Sequence, residues 1–290
     1  MRITVSADNQ FTILGASGFI GSALVASLTS QDRVVHAVTR AALPGLFATR
    51  RPAGHVIACF GLTGDFRSRP LDTADAHVGL VARCLAELRF DSFLLLSSTR
   101  LYARAGATHE EAALPVLPAD PSDLYNVTKL AGEALCLAGP RHEIRVARLS
   151  NVYGIDMPAA TFLGQIMREG RGFGSVVFRQ SAGSAKDYIG IASVVRLLPA
   201  IATAGRQRIY NVAAGTNTTH ATIANCLQEV AGWRTGFAPD APTLLNRPID
   251  TSRVTAEFGA TDSDLAADLP TLLALEQECQ CSPSMKHMAA

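Results

Sequence analysis

Short apolar runs alternate along this chain with longer stretches whose apolar positions recur every three or four residues. The runs Phe11–Leu14, Val34–Val38, Val56–Phe60, Phe93–Ser97 and Ile144–Leu149 read as buried strands. Ile20, Leu24 and Leu28 share one helical face, as do Val78, Val81, Leu85 and Leu88, the latter predicting a helix over Asp72–Leu88 packed on a sheet. Strand and helix in alternation imply parallel strands joined by right-handed crossovers, an α/β doubly wound sheet. About sixteen residues separate the second strand from Val56, too few for a helix, a strand and a second helix. No further strand is therefore expected between them.

Residues 103–122 carry Pro115, Pro118 and Pro121 without periodicity and read as a loop, and Ser122 or Asp123 can cap the helix Asp123–Leu137 that follows. Leu130, Ala134 and Leu137 mark a sheet-facing stripe on that helix. Thr218 or Thr219 starts a helix through Ile223, Leu227 and Val230, and a last helix runs from Leu269 to about Cys279. With 290 residues, one large unit with a small appended lobe is expected. Residues 1–150 form the main sheet unit, 151–280 complete the sheet and build the lobe, and 281–290 are a mobile tail.

Composition narrows the classes. Hydrophobic residues are 48% and charged residues 18%, yet no apolar run is long enough for a bilayer, so no membrane association is expected. The opening Met1–Asp8 lacks the apolar core and cleavage site of a secretory signal, which points to a cytoplasmic location. A net charge of +1, with basic pairs such as Arg50-Arg51 not interleaved with aromatics, argues against nucleic acid as a partner. Cys59, Cys84, Cys136 and Cys226 fall in predicted strands and helices, while Cys279 and Cys281 lie near the C-terminus. No C-x-x-C pair or His/Cys cluster has zinc spacing, so neither metal nor disulfides are expected.

Gly15-Ala16-Ser17-Gly18-Phe19-Ile20-Gly21 follows the first strand and opens the first helix. Such a loop lets backbone N–H groups approach a pyrophosphate at a helix N-terminus, although its G-x-x-G-x-x-G spacing also suits a plain tight turn. Downstream, Ser97-Ser98-Thr99-Arg100 ends a strand, and Tyr125 and Lys129 lie one helical turn apart. A phenol with pKa near 10 is a poor base at neutral pH, and an adjacent ammonium favours its phenolate. Ser, Tyr and Lys in this order suit proton transfer.

Together these segments resemble the extended short-chain dehydrogenase/reductase family, which holds nucleotide-sugar epimerases, dehydratases and keto-reductases. Val56–Leu62 resembles its fourth-strand motif, Arg148-Leu149-Ser150-Asn151-Val152-Tyr153-Gly154 its R-x-x-N-V-Y-G, and Lys186-Asp187-Tyr188-Ile189 its R-D-Y-I segment returning to the sheet. Ile209–Gly215 resembles a later strand and turn, and Asp250-Thr251-Ser252-Arg253 the start of a late helix. The resemblance implies a Rossmann-type sheet with a small C-terminal substrate lobe. It implies Ser98, Tyr125 and Lys129 as catalytic residues, and Gly15, Ser17, Gly18, Phe19, Ile20, Gly21, Phe60, Gly61, Tyr125 and Lys129 as cofactor contacts.

It further implies a nucleotide-sugar substrate met by Ser98, Thr99, Arg100, Asn151, Lys186 and Arg247, the lysine replacing a more usual arginine. Arg40, about 25 residues after Gly15, stands where an acid selects NAD and an arginine accepts the 2′-phosphate of NADP. NADP is the expected cofactor, with NAD as the alternative and adenine contacts around Arg40–Phe47. His77 stands where many family enzymes carry asparagine. A homodimer built on Asp72–Leu88 and Asp123–Leu137 also follows from the resemblance.

Dehydratases of the family place Asp-Glu after the serine. Here Thr99 and Arg100 fill those positions, and a guanidinium cannot act as the carboxylate base, so dehydration and decarboxylation are disfavoured. Reduction of a keto-sugar is the first reading, C4 epimerisation with retained NAD the second, and a non-catalytic NADP sensor the third.

Overall fold

A computed structural model describes residues 9–62 and 64–281, the last six as backbone only. The expectations for Met1–Asp8 and for the tail beyond residue 281 lie outside the described residues. In chain order the elements are β1 (Gln10–Leu14), α1 (Phe19–Ser30), β2 (Val34–Val38), α2 (Leu43–Thr49), β3 (His55–Ala58), α3 (Pro70–Ala74), α4 (Leu80–Glu87), β4 (Ser92–Ser98), α5 (Leu124–Leu137) and β5 (Ile144–Leu149). There follow β6 (Asn151–Tyr153), α6 (Phe162–Phe173), β7 (Ser175–Phe178), β8 (Ala185–Gly190), α7 (Ile191–Ala204), β9 (Ile209–Val212), β10 (Asn217–Thr219), α8 (His220–Ala231), β11 (Arg234–Phe237), α9 (Ser252–Phe258) and α10 (Leu265–Cys281).

Six strands form the main sheet in the order β2-β1-β3-β4-β5-β9, every pairing parallel. The sheet is Rossmann-like, and the order reverses between β1 and β3, so the carboxyl ends of those strands frame the crevice where such sheets bind ligands. Leu24 and Leu28 of α1 and Val194, Leu197 and Ile201 of α7 cover one face, and Val81, Cys84 and Cys136 of α4 and α5 cover the other. Each large side chain buried in this way stabilises by about 1.5–3 kcal/mol.

Among the described residues no strand flanks β2, in keeping with the short connection after it. Val34, His36 and Ala37 are accordingly exposed along that edge. The seven-residue α2 fills the space instead, burying Phe47 against the sheet under the Arg83 guanidinium, 4.0 Å from its ring.

Several sequence expectations change. The helix expected over Asp72–Leu88 begins at Pro70 and is interrupted by a π turn at Asp75–Gly79. The extra residue rotates the inward stripe, so Thr73, His77, Val81, Cys84 and Leu88 are buried while Val78 and Leu85 are only half-buried. On α5 the sheet face is Tyr125, Lys129, Gly132 and Cys136, and Ala134 points outward. Gly132 sets this rotation: a Cβ there would stand 2.4 Å from the His77 carbonyl oxygen, so only glycine lets the π turn and α5 meet.

The Lys186–Ile189 segment does not return to the main sheet. It lies in β8, central to a separate three-stranded sheet, parallel to β6 and antiparallel to β10. The strand that completes the main sheet is β9. The last helix starts at Leu265 rather than Leu269, because the Asp264 carboxylate accepts from Ala266 N–H at 3.0 Å and Pro270 is accommodated inside the helix. Its Leu265, Leu269, Leu272 and Leu273 join Met167, Val176, Phe178 and Leu227 in the core of the lobe.

Candidate active site

The glycine loop leaves β1 with Gly15 in a left-handed conformation, φ +81°, where a Cβ would sit 3.1 Å from the Cys59 carbonyl. Gly21 packs still closer, with a Cβ there only 2.2 Å from the Gly15 oxygen. Gly18 occupies the N-cap of α1 without a side-chain cap, and the first helical bond is Ser22 N–H to Gly18 O at 2.8 Å. The N–H groups of Phe19, Ile20 and Gly21 therefore precede the helical ladder, at the positive end of the dipole. Ser17 and Gly18 are exposed, while Ile20 and Phe60 pack into the two sheet cores and Phe19 into the lobe. This cradle fits a dinucleotide pyrophosphate.

Ser98, Tyr125 and Lys129 meet beyond the end of β4. The Tyr125 ring is 6% exposed, and Ser98 lies close enough to its hydroxyl to lower the phenol pKa. Burial pushes the phenol pKa up, opposed by Ser98 and the Arg100 charge. Lys129 lies 5.9 Å from the Tyr125 ring centre and donates to the Leu96 carbonyl at 2.9 Å. Burial pushes its pKa down to about 8, with Glu133 pulling the other way. Gly61 completes the wall: a Cβ there would lie 3.1 Å from His77 Nε2 and 3.4 Å from Lys129 Nζ.

His77 joins this group by way of the π turn. Its Nε2 accepts from Leu62 N–H at 3.2 Å, which assigns the proton to Nδ1, 2.9 Å from Thr128 Oγ1. Thr128 in turn donates to the Leu124 carbonyl, and the His77 ring meets Tyr125 edge-on at 5.3 Å. Burial, then the charge of Lys129, hold the imidazole pKa down at about 3.

Asp123 is the N-cap of α5 without capping it by its side chain; its carboxylate accepts from Leu117 N–H (2.7 Å), Asn126 (2.8 Å) and Arg104 (3.1 Å), pinning the proline-rich loop to α5. Ser122 is likewise no cap for α5: its hydroxyl accepts from Arg67 at 2.9 Å and its carbonyl from Arg100 at 3.2 Å. Arg67 and its neighbour Phe66 carried no periodic signal in the sequence. Thr99 is half-buried at the start of the turn after β4.

The remaining predicted residues lie on the lobe side or at the sheet edge. Lys186 Nζ sits 4.3 Å from the Phe162 ring, and burial, then Arg100, lower its pKa. Asn151 is engaged with the Asp187 carbonyl at 2.8 Å. Arg247 is exposed, next to Asn246, which donates to Ala185 O at the start of β8. Arg40 is exposed at the end of β2, at the start of a turn leading into α2.

The profile described as "NAD dependent epimerase/dehydratase family" matches residues 11–213, from β1 to just past β9. The chain belongs to that family. No curated protein sequence matches it. Among solved structures it is similar to MoeE5 in complex with UDP-glucose and NAD (23% identity, 93% of this chain and 99% of that one, TM-score 0.75). It is also similar to UDP-glucuronic acid 4-epimerase from Bacillus cereus (17%, 93% and 99%, 0.73) and to RMD from Pseudomonas aeruginosa complexed with NADPH (21%, 91% and 98%, 0.70). At these identities the likeness shows a shared fold. No helix among the described residues is long and apolar enough to cross a membrane.

Proposed function

We propose that this family member is an NADP-dependent reductase of a keto group on a nucleotide-activated sugar. The observation that carries the reading is the Tyr125 phenol, buried close to Ser98 at the end of β4, its pKa pushed up by burial. A phenol so placed is a proton donor. The Gly15–Gly21 cradle and Arg40 would hold the dinucleotide, which would supply the hydride when bound. Ser98 orients the substrate oxygen, Tyr125 gives it the proton, and Lys129, fixed through Leu96 O, holds its charge behind the phenol. The open β2 edge, without a third strand over the adenine side, favours a cofactor that leaves after each turnover.

A second reading is C4 epimerisation of the same substrate class. The Arg100 charge, which opposes the upward shift that burial gives the Tyr125 pKa, favours the phenolate, the form needed to accept a proton from a sugar hydroxyl. The same proposal includes a homodimer through the outer faces of α4 and α5, where Leu135 is 39% exposed.

The test follows nicotinamide absorbance with NADPH or NADH and a panel of nucleotide-linked 4-keto sugars and hexoses. Stoichiometric NADPH consumption with a keto-sugar supports reduction, and inversion of a hexose without net cofactor change supports epimerisation. Tyr125→Phe lowers either rate by about 10² to 10⁴ while leaving cofactor binding intact. Near-native turnover by that variant overturns the assignment of Tyr125.

A further inference from the structure

Three cations converge on the mouth of this site. The Arg100 guanidinium lies 5.5 Å from the Tyr125 ring and 5.2 Å from the ring of Phe66, on which Arg67 also stacks at 4.5 Å. Both arginines are tied to Ser122, and Lys186 is close enough for its charge and that of Arg100 to oppose each other. The nearby carboxylates are already engaged: Asp120 and Asp123 pair with Arg104 at 2.5 and 3.1 Å, and Asp65 and Asp72 with Arg69 at 3.1 and 2.8 Å. Among the described residues neither Arg67, Arg100 nor Lys186 has a carboxylate partner.

Like charges gathered on a buried aromatic platform repel, and burial followed by the Arg67 charge pushes the Arg100 pKa down. An anionic ligand offsets that cost. Its place follows from the geometry, because Ser98 and Tyr125 fix where the reacting carbon sits and Arg100 stands over the Tyr125 ring. Lys186, on β8 of the lobe, is held apart from the two arginines on the Phe162 ring, 4.3 Å away, and is assigned here to the diphosphate. The two arginines are left for a charge on the sugar itself.

We infer that Arg67 and Arg100 bind a carboxylate carried by the sugar beside the reacting carbon, so that the substrate is a nucleotide-linked hexuronate in preference to a neutral hexose. This rests on the nucleotide-sugar reading above and on neither of its two reactions. Guanidinium forks match a carboxylate in two-point geometry, and the Phe66 face and Ser122 hold both forks in place beforehand.

The test is calorimetric binding to the cofactor-saturated protein of UDP-glucose, UDP-glucuronic acid, the matched dTDP pair, and UDP and dTDP alone. The acid is expected to bind at least about ten-fold more tightly than the neutral sugar on the same nucleotide, a preference that weakens with salt. Arg67→Gln with Arg100→Gln reduces the preference to less than about three-fold while affinity for the nucleotide alone is unchanged. Arg67→Lys with Arg100→Lys retains part of it. Equal affinity of the native protein for acid and neutral sugar overturns the inference, as does a preference that survives the double Gln variant. Failure of every nucleotide and nucleotide-sugar to bind overturns the reading beneath it, and the inference with it.

Discussion

The backbone N–H of Leu62 donates to His77 Nε2 at 3.2 Å, tying the loop after β3 to the π turn that precedes α4. The other imidazole nitrogen reaches Thr128 on the helix that carries Tyr125 and Lys129. One neutral ring thus spaces the loop after β3 from α5. Its role depends on staying uncharged, because a proton on Nε2 would turn the Leu62 acceptor into a second donor.

His77→Phe keeps the edge contact with Tyr125 and strands the Leu62 N–H, a loss of about 1–3 kcal/mol. Thermal unfolding is expected several degrees lower, with cofactor affinity reduced as well. Thr128→Val breaks only one side of the bridge, so the two changes together are less than additive. Additive losses would mean that His77 and Thr128 act separately.

Lys129 links stability to pH. Its folded pKa of about 8 lies below the ordinary lysine value of 10.5, so between those limits the unfolded chain binds more protons. The penalty for burying the ammonium is complete below about pH 8 and fades as pH rises toward 10.5. Lys129→Met removes that penalty, and its stability advantage over the native protein should shrink by up to about 1.4 kcal/mol per pH unit across the window. The difference matters rather than either curve alone, since Cys84 and Cys136, pushed up to about 12 by burial, destabilise both proteins in alkali. Urea titrations of both proteins at pH 7, 8, 9 and 10 measure it, and a constant gap would contradict the lowered pKa.

A buried ion pair anchors the loops around the site. Arg148 on β5 donates to Glu133 at 2.7 Å and to the Tyr102 hydroxyl at 2.8 Å, with both ionic side chains under 5% exposed. Arg148→Met leaves the Glu133 carboxylate buried and unpaired, a cost of about 3–5 kcal/mol. Adding Glu133→Leu recovers most of it, because the apolar pair carries no desolvation penalty. Chemical denaturation of the single and double variants decides this; a double variant no more stable than the single one would show that shape, not charge, is limiting.

The central strands were legible because both their faces are covered: Ile144–Leu149 has the same limits as its apolar run, and Ser92–Ser98 exceeds its run by one residue at each end. Ser98, Tyr125 and Lys129 were legible through spacing on a strand end and a helix, and the structure brings them together. That no strand flanks β2 among the described residues could be read from the short connection that follows it. The inward turn of His77 could not, because one inserted residue in a π turn leaves the apolar pattern looking like an ordinary helix. Arg67 meets Ser122 across 55 residues, and the loop holding it has no periodicity to read. Only the folded chain puts it on the Phe66 ring that meets Tyr125.

The cofactor-selectivity prediction rests on Arg40. It is exposed just past the carboxyl end of β2, where doubly wound sheets place a dinucleotide's ribose, and the residues after it, Ala41 and Ala42, offer no carboxylate for a 2′-hydroxyl. A guanidinium there meets a 2′-phosphate with charge and a two-point hydrogen-bond geometry. Replacing it by an acid removes that partner and sets a like charge against the phosphate, while providing an acceptor for the free hydroxyl of NAD. Arg40→Asp is therefore expected to weaken NADPH binding by about ten-fold or more and to strengthen NADH binding, reversing the preference. Fluorescence titration of both cofactors against the native protein and the variant measures the change. If the native protein binds NADPH and NADH equally, Arg40 is only a solvated side chain at the end of an edge strand.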